Sequence, residues 1–393
     1  MPTPESFYRE AIDLQKYSNF VADEIVTNYN NIILDLARKL QDEDNPVTPA
    51  SQARIRAQLL QLKESLNTWQ RNSSLYLVDE LQGLALFQEE FVRNELQKVL
   101  PKNAPNVNTV QISDDFARSI VFNDPTELNI LTLPKELEGA VQRKFSLTAA
   151  KGSAIVLPNG QVVEKAFRGI SIASAERLTK EVNVAVAQGE SLPALARKLR
   201  GKLRFGSLQK MTAKAQRLAA GDGMQLANNQ VMTVVRTSVN QTQNAASMAS
   251  YEANQNVTKR YKYVATLDAK TTKICGSLDG RMFKYGKGPM PPQHFNCRST
   301  TVPIIDDEDL RRSFPDTRPS KTGRVPQDTS YPDWLKQNPS MQTKALGNKK
   351  NIFNYLINKK NKSPREALRL IIRDDGTELP LKVLKEKYKD AFR

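Results

Sequence analysis

The feature that most constrains this chain is a run of apolar residues at helical spacing through its first hundred positions. Val21, Ile25, Tyr29, Ile32, Leu36 and Leu40 recur at steps of three and four, which puts them on one stripe of one helix. Asp42 to Pro46 breaks the stripe, and Thr48 followed by Pro49 offers a cap and a first helical residue. Ile55, Leu59, Leu62, Leu66 and Trp69 then alternate steps of four and three, as in a coiled-coil seam. Asn72-Ser73-Ser74 reads as a second break, with Leu77, Leu81, Leu84 and Phe91 on a third helix. Three amphipathic helices with short connections predict a helical bundle or hairpin arm over residues 1–100, and the pattern does not decide between the two.

The pattern loosens afterwards. Residues 101–150 read as a connector, punctuated by Pro101, Pro105, Pro125 and Pro134. Ala154-Ile155-Val156-Leu157 and Gln161-Val162-Val163-Glu164 flank Pro158-Asn159-Gly160, a hairpin signal. Helices are predicted over Ser174–Gln188, Ser191–Arg200 and Met224 to about Asn254, with Gly189 and Gly201 as stops. Alternation with tyrosine and valine marks Lys262–Thr266 as a strand, and Arg281–Phe283 and Thr300–Val302 are shorter strand candidates. Residues 151–305 thus predict a core of helices with a small antiparallel sheet. Pro315, Pro319, Pro326, Pro332 and Pro339 predict an extended linker over 306–343. A basic helical tail over 344–393 contains the capping box Ser363-Pro364-Arg365-Glu366. The fold class is α+β, predominantly helical.

Charge narrows the set of partners. The 58 lysines and arginines against 42 acidic residues give +16 at pH 7. Two segments carry the excess. Arg197, Lys198, Arg200, Lys202, Arg204, Lys210, Lys214 and Arg217 are interrupted by no acidic residue, and residues 344–393 hold 14 basic against 6 acidic side chains. Clustered cations attract polyanions, and these eight residues are candidate contacts to DNA phosphates; a solvated basic face or an acidic protein partner fits the same charge. No apolar run is long enough to span a bilayer, and the N-terminus lacks the basic and apolar segments of a secretory signal, so assembly in the cytosol away from membranes is expected. Two cysteines do not build a disulfide scaffold.

The chain's one histidine and both cysteines fall between Cys275 and Cys297. Three chemistries fit this block. Asp268, Cys275, His294 and Cys297 offer the O, S and N donors of a structural zinc site, although their spacing matches no standard zinc framework. A thiol hydrolase would pair Cys275 or Cys297 with His294, but no oxyanion-hole signature accompanies them. Alternatively the thiols pack as small apolar groups while Asp268 pairs with Arg236 or Arg298 and pins the loop to the long helix. On that reading Arg236, Asp268, Cys275, His294, Cys297 and Arg298 form a structural knot.

The order Arg236-Thr237, Tyr263, Asp268, Cys275, Gly280 with Phe283, and Pro292-Gln293-His294-Phe295-Asn296-Cys297-Arg298 resembles the phage Mu F-like minor head, or head morphogenesis, family. The resemblance covers about 169–305, with Tyr263 where the family usually has tryptophan. Tyr331-Pro332-Asp333-Trp334-Leu335 and Leu346-Gly347-Asn348-Lys349 resemble, more weakly, a tail often seen after that core. It implies a non-enzymatic structural protein of a tailed-phage virion, acting in head assembly near the portal vertex. It also implies the portal or major capsid protein as partners, double-stranded phage DNA as a non-specific one, and a role in DNA packaging or ejection. Two alternatives from other classes are a thiol-dependent enzyme and a general nucleic-acid-binding protein. The segment after Arg298 carries no recognisable catalytic set, and no helix-turn-helix, zinc finger or aromatic stacking platform is visible.

Overall fold

The computed structural model describes residues 4–43, 47–100, 106–112, 163–204, 206–305, 317–373 and 376–392. Two helices fill the first hundred positions, α1 (Pro4–Gln41) and α2 (Pro49–Val99). Thr48 caps α2 through a box with Ser51, and Pro49 opens it, as the sequence indicates. The expected break at Asn72-Ser73-Ser74 does not occur, and α2 runs straight through it. Ser73 and Ser74 are buried, and the Ser74 hydroxyl donates to the Gln70 carbonyl at 2.8 Å. That bond satisfies the hydroxyl inside the helix, so it no longer competes with the backbone.

Next come α3 (Val163–Ala187), α4 (Leu192–Arg200), a 3-10 turn at Leu208–Lys210, α5 (Ala213–Ala219) and the 32-residue α6 (Asp222–Ala253). The hairpin expected around Pro158-Asn159-Gly160 lies outside the described residues, except that Val163 and Glu164 open α3 and are not strand. Helices α1 and α2 do not stand off as an arm. α2 packs along α3 and α6, and α1 packs along α4 and α6. One apolar core joins all six helices, with Ile25, Tyr29, Leu66, Trp69, Phe167 and Val235 at its centre. Polar bonds fix the register of that core. The Trp69 indole N–H donates to the Ile25 carbonyl at 3.1 Å, the Tyr29 hydroxyl to Ser174 at 3.0 Å and the Asn30 amide to Gln216 at 2.9 Å.

A three-stranded antiparallel sheet follows, with β1 (Thr258–Val264) between β2 (Met282–Lys284) and β3 (Thr300–Ile305), and the short α7 (Lys273–Leu278) between β1 and β2. Tyr261 lies opposite Phe283, and Tyr263 opposite Thr301. Tyr261 and Tyr263 alternate inward and join Phe7, Val92, Tyr251, Cys275 and Cys297 in a second core. This core lies between the sheet and the ends of α1, α2 and α6.

From Thr317 the stretch expected as an extended linker is ordered structure. β4 (Thr317–Ser320) and β5 (Gly323–Pro326) form a hairpin, and α8 (Tyr331–Gln337) and α9 (Pro339–Leu346) follow. The prolines misled because Pro332 and Pro339 sit in first helical turns, where the missing N–H costs nothing. With α10 (Lys350–Lys360), α11 (Pro364–Arg369) and α12 (Leu381–Lys387), these helices bury Tyr331, Trp334, Phe353, Leu368 and Leu384 in a third core. Ser363 and Glu366 form the expected capping box. Among the described residues, no helix is long and apolar enough to cross a membrane.

Candidate functional site: a polar knot between the long helix and the sheet

Helix α6 is unusual for a buried helix. Thr237, Ser238, Gln241, Thr242, Gln243, Asn244, Ser247 and Ser250 are all buried on it. Buried polar groups need partners, and the loop entering β3 supplies them to Thr237, Gln243 and Asn244, whereas Ser238, Gln241 and Thr242 have side-chain atoms without one among the described residues. The Thr237 hydroxyl accepts the Asn296 backbone N–H at 3.0 Å and donates to the Thr233 carbonyl at 2.7 Å. The Asn296 amide donates to Thr233 at 3.1 Å, and Asn296 itself takes a left-handed φ of 57°, which asparagine tolerates better than most residues. The Asn240 amide donates to the Ser299 carbonyl at 2.8 Å, Gln243 to the Thr300 hydroxyl at 3.1 Å, and the Tyr251 hydroxyl to the Thr301 carbonyl at 3.3 Å. One face of α6 therefore holds Asn296, Ser299, Thr300 and Thr301.

Asp268 organises the opposite side of that loop. Its carboxylate accepts the N–H groups of Lys270 at 2.8 Å and Thr271 at 3.1 Å, and takes both guanidinium arms of Arg298 at 2.6 and 2.7 Å. Burial alone would raise the carboxyl pKa. The bonds and charge of Arg298 and the two backbone N–H groups outweigh it and hold Asp268 below the usual carboxylate range. Of the two expected partners, Arg298 is the real one. Arg236 instead donates two bonds to Asn19 on α1, at 3.2 and 2.8 Å. With both carboxylate oxygens committed, Asp268 is not among the side chains whose ligand atoms cluster.

Cys275, His294 and Cys297 do come together, their ligand atoms all within 4.8 Å of one another. Each arrives by a different local device. Thr272 caps α7 and places Cys275 in its first turn. Gly276, the next residue, lies so close to the Tyr331 ring that an added Cβ would stand 2.4 Å from it, so only glycine lets α7 sit there. Gly280, at φ 77°, lets the chain leave α7 and donate to the Tyr263 carbonyl at 2.8 Å. A turn from the His294 carbonyl to the Cys297 N–H presents the other two side chains, just after a cis Pro291–Pro292 bond. Cys275 Sγ lies 3.2 Å from His294 Nε2 and 3.7 Å from Cys297 Sγ, and the Tyr263 hydroxyl donates to it at 3.2 Å. Thr272 Oγ1 is 2.9 Å from His294 Nε2, and Nδ1 of the same ring is 2.8 Å from the Phe295 carbonyl.

Both thiols are buried and free of disulfide. Burial opposes ionisation of either, and two adjacent thiols accept a single negative charge. Burial, with Cys297 alongside, holds Cys275 well above the ordinary thiol value. Burial also acts against a charge on Cys297, but hydrogen bonds with Cys275 and His294 overcome it and hold Cys297 well below that value. For His294, burial disfavours the charged ring and the Cys297 thiolate more than compensates, so its pKa is raised.

A second buried network ties the sheet to the C-terminal helices. Asp279 is fully buried and accepts from the Ala265 N–H at 2.7 Å, the Tyr331 N–H at 2.7 Å, and Arg318 at 3.0 and 3.2 Å. Arg318 also donates to the Ala265 carbonyl at 2.7 Å, and Arg365 donates to the carbonyls of Ser277 and Asp279 at 2.7 and 2.8 Å. The sequence pattern assigns no site role to Asp279, Arg318 or Arg365. The only signal was an acidic residue directly before a turn glycine.

The eight basic residues lie along α4, the 3-10 turn and α5. Arg197, Lys198, Lys202, Arg204, Lys210 and Lys214 are exposed. Arg200 and Arg217 are half-buried and bound within the fold, to the Leu203 carbonyl at 2.9 Å and to Asn229 at 3.0 Å.

The fold and the knot define an α+β module in which Thr237, Asn240, Asp268 and Arg298 are bonded within the fold around the loop before β3. Residues 176–302 match the family described as Phage Mu protein F like protein, and through this region the chain is similar to that family. The matched segment begins inside α3 and ends inside β3, so it holds α4–α6, β1, α7, β2 and every residue of the knot. The chain matches no curated protein and no solved structure.

Proposed function

We propose that this chain is a structural minor head protein of a tailed bacteriophage, acting in head assembly near the portal and touching DNA phosphates without reading sequence. The family match over residues 176–302 is the observation that carries the head role. The placement of the motif residues supports a structural reading. Thr237, Asn240, Asp268 and Arg298 are spent on internal bonds that fix one loop, which suits a part held rigid in an assembly. The portal or the major capsid protein is the partner this role requires, and the virion head is its location.

Six exposed cations on one short run, with no acidic residue among them, suit contact to a phosphate backbone. Retention of a random-sequence duplex by the purified chain should fall steeply with salt, with a log–log slope of at most roughly −5 if all six engage. Changing Lys198, Lys202, Arg204 and Lys210 together to alanine should flatten that slope. Binding that ignores salt, or survives this variant unchanged, would remove the DNA contact. Imaging of assembled particles without imposed symmetry tests the head role itself: density for the chain beside the portal is the expected result, and its absence from the head refutes the proposal.

A further inference from the structure

We infer that Cys275, His294 and Cys297 bind a zinc ion that locks α7, the loop before β3 and the end of that loop into one unit. Around a tetrahedral zinc with Zn–S bonds of about 2.3 Å and Zn–N bonds of about 2.0 Å, two sulfurs stand roughly 3.8 Å apart and a sulfur and a nitrogen roughly 3.5 Å apart. Here the sulfurs are 3.7 Å apart, and Cys275 Sγ is 3.2 Å from His294 Nε2. The separation suits ligands on one ion and is far from the roughly 2.05 Å of a disulfide.

The surroundings are those of a ligand set. The Phe295 carbonyl can only accept, so the contact at 2.8 Å places the imidazole proton on Nδ1 and leaves the lone pair of Nε2 facing the sulfurs. The Tyr263 hydroxyl donates to Cys275 Sγ, as outer partners do to metal-bound sulfur. Three protein ligands leave a fourth position. A cavity of about 380 Å³ lined by His294, Cys297, Thr272, Asn240 and Gln243 lies against two of the three ligands. A three-point tie also fits the local need, because the sheet has three short strands and the loop before β3 contains no regular structure. Ligands arriving from separate turns are drawn together at a free-energy gain that a single hydrogen bond does not supply.

The inference stands apart from the head role, since it concerns what the knot holds and not where the protein acts. The test is metal analysis of the full chain after exposure to one equivalent of zinc and removal of loose metal. One zinc per chain is expected, with both thiols protected from alkylation until a strong chelator is added. Cobalt in its place should give the thiolate charge-transfer and intense ligand-field bands of a tetrahedral two-sulfur site. His294→Ala and Cys297→Ser should lose the metal, whereas Asp268→Asn, which weakens the same loop without removing a ligand, should keep it. A chain that takes up no zinc while its thiols react freely would overturn the inference. So would zinc retained equally by His294→Ala and Cys297→Ser, or a melting temperature unchanged by the chelator.

Discussion

The helical bundle and the knot hold together by different means. In the bundle, α1, α2, α3 and α6 bury Ile25, Leu66, Trp69, Phe167 and Val235 against one another, and polar groups serve mainly to set register. In the knot, the long α6 turns a polar face on residues 296–301, and ion pairs at Asp268 and Asp279 close the unit. Apolar burial is non-directional, and a bundle tolerates exchange of one aliphatic residue for another of similar volume. Polar ties depend on direction, so each member of the knot has few substitutes. This accounts for the recognisable motif lying in the knot while the first 175 residues fall outside the family match.

The sharpest test of this contrast is Asp279→Ala. It leaves Arg318 buried and unpaired, and removes an acceptor from the N–H groups of Ala265 and Tyr331. A loss of about 3–5 kcal/mol is expected from denaturant unfolding, with the C-terminal helices loosened first in hydrogen exchange. A loss under roughly 1 kcal/mol would mean that the buried pair does not govern this junction.

Next in size is Leu66→Ala, which should cost about 2–5 kcal/mol by opening a cavity among α1, α2 and α3. Leu66→Met should cost less than about 1.5 kcal/mol. Equal losses for the two would break the claim that volume and not shape governs the bundle.

The smallest expected effect is one of pH. The Asp268 carboxyl is held below its unfolded value, so its contribution is fully present above the ordinary carboxylate range and is lost as pH falls through the depressed folded value. The native chain should therefore lose stability through the acid range, and Asp268→Asn should flatten that part of the profile while lowering stability at neutral pH. Parallel profiles for the two proteins would show that the pairing with Arg298 contributes nothing that titrates.

Several elements were legible in the sequence because they depend on neighbours in the chain. Thr48 with Pro49, and Ser363 with Glu366, act within one helical turn and behave as read. The alternation over Lys262–Thr266 pointed to the central strand, which runs a few residues earlier at Thr258–Val264, and the grouping of Cys275, His294 and Cys297 pointed to the cluster. Two expectations failed where local signals were ambiguous. Asn72-Ser73-Ser74 looks like a break, but burial against the bundle and the bond from Ser74 to Gln70 keep α2 whole. Prolines after residue 316 look like a linker, but Pro319 and Pro326 lie in the β4–β5 hairpin and Pro332 and Pro339 sit in first helical turns.

By itself the sequence determined many of the helices and the strands up to residue 305, several of their caps and stops, and the grouping of two thiols with the one imidazole. Those properties follow from backbone geometry and from the spacing of neighbours along the chain. Only the tertiary structure decided that Asp268 takes Arg298 and not Arg236, that Asp279 meets Arg318, and that α1 and α2 join the bundle. Those choices turn on distances of a few ångströms between residues far apart in the chain, where several partners of equal charge or equal hydrophobicity compete and packing alone selects one.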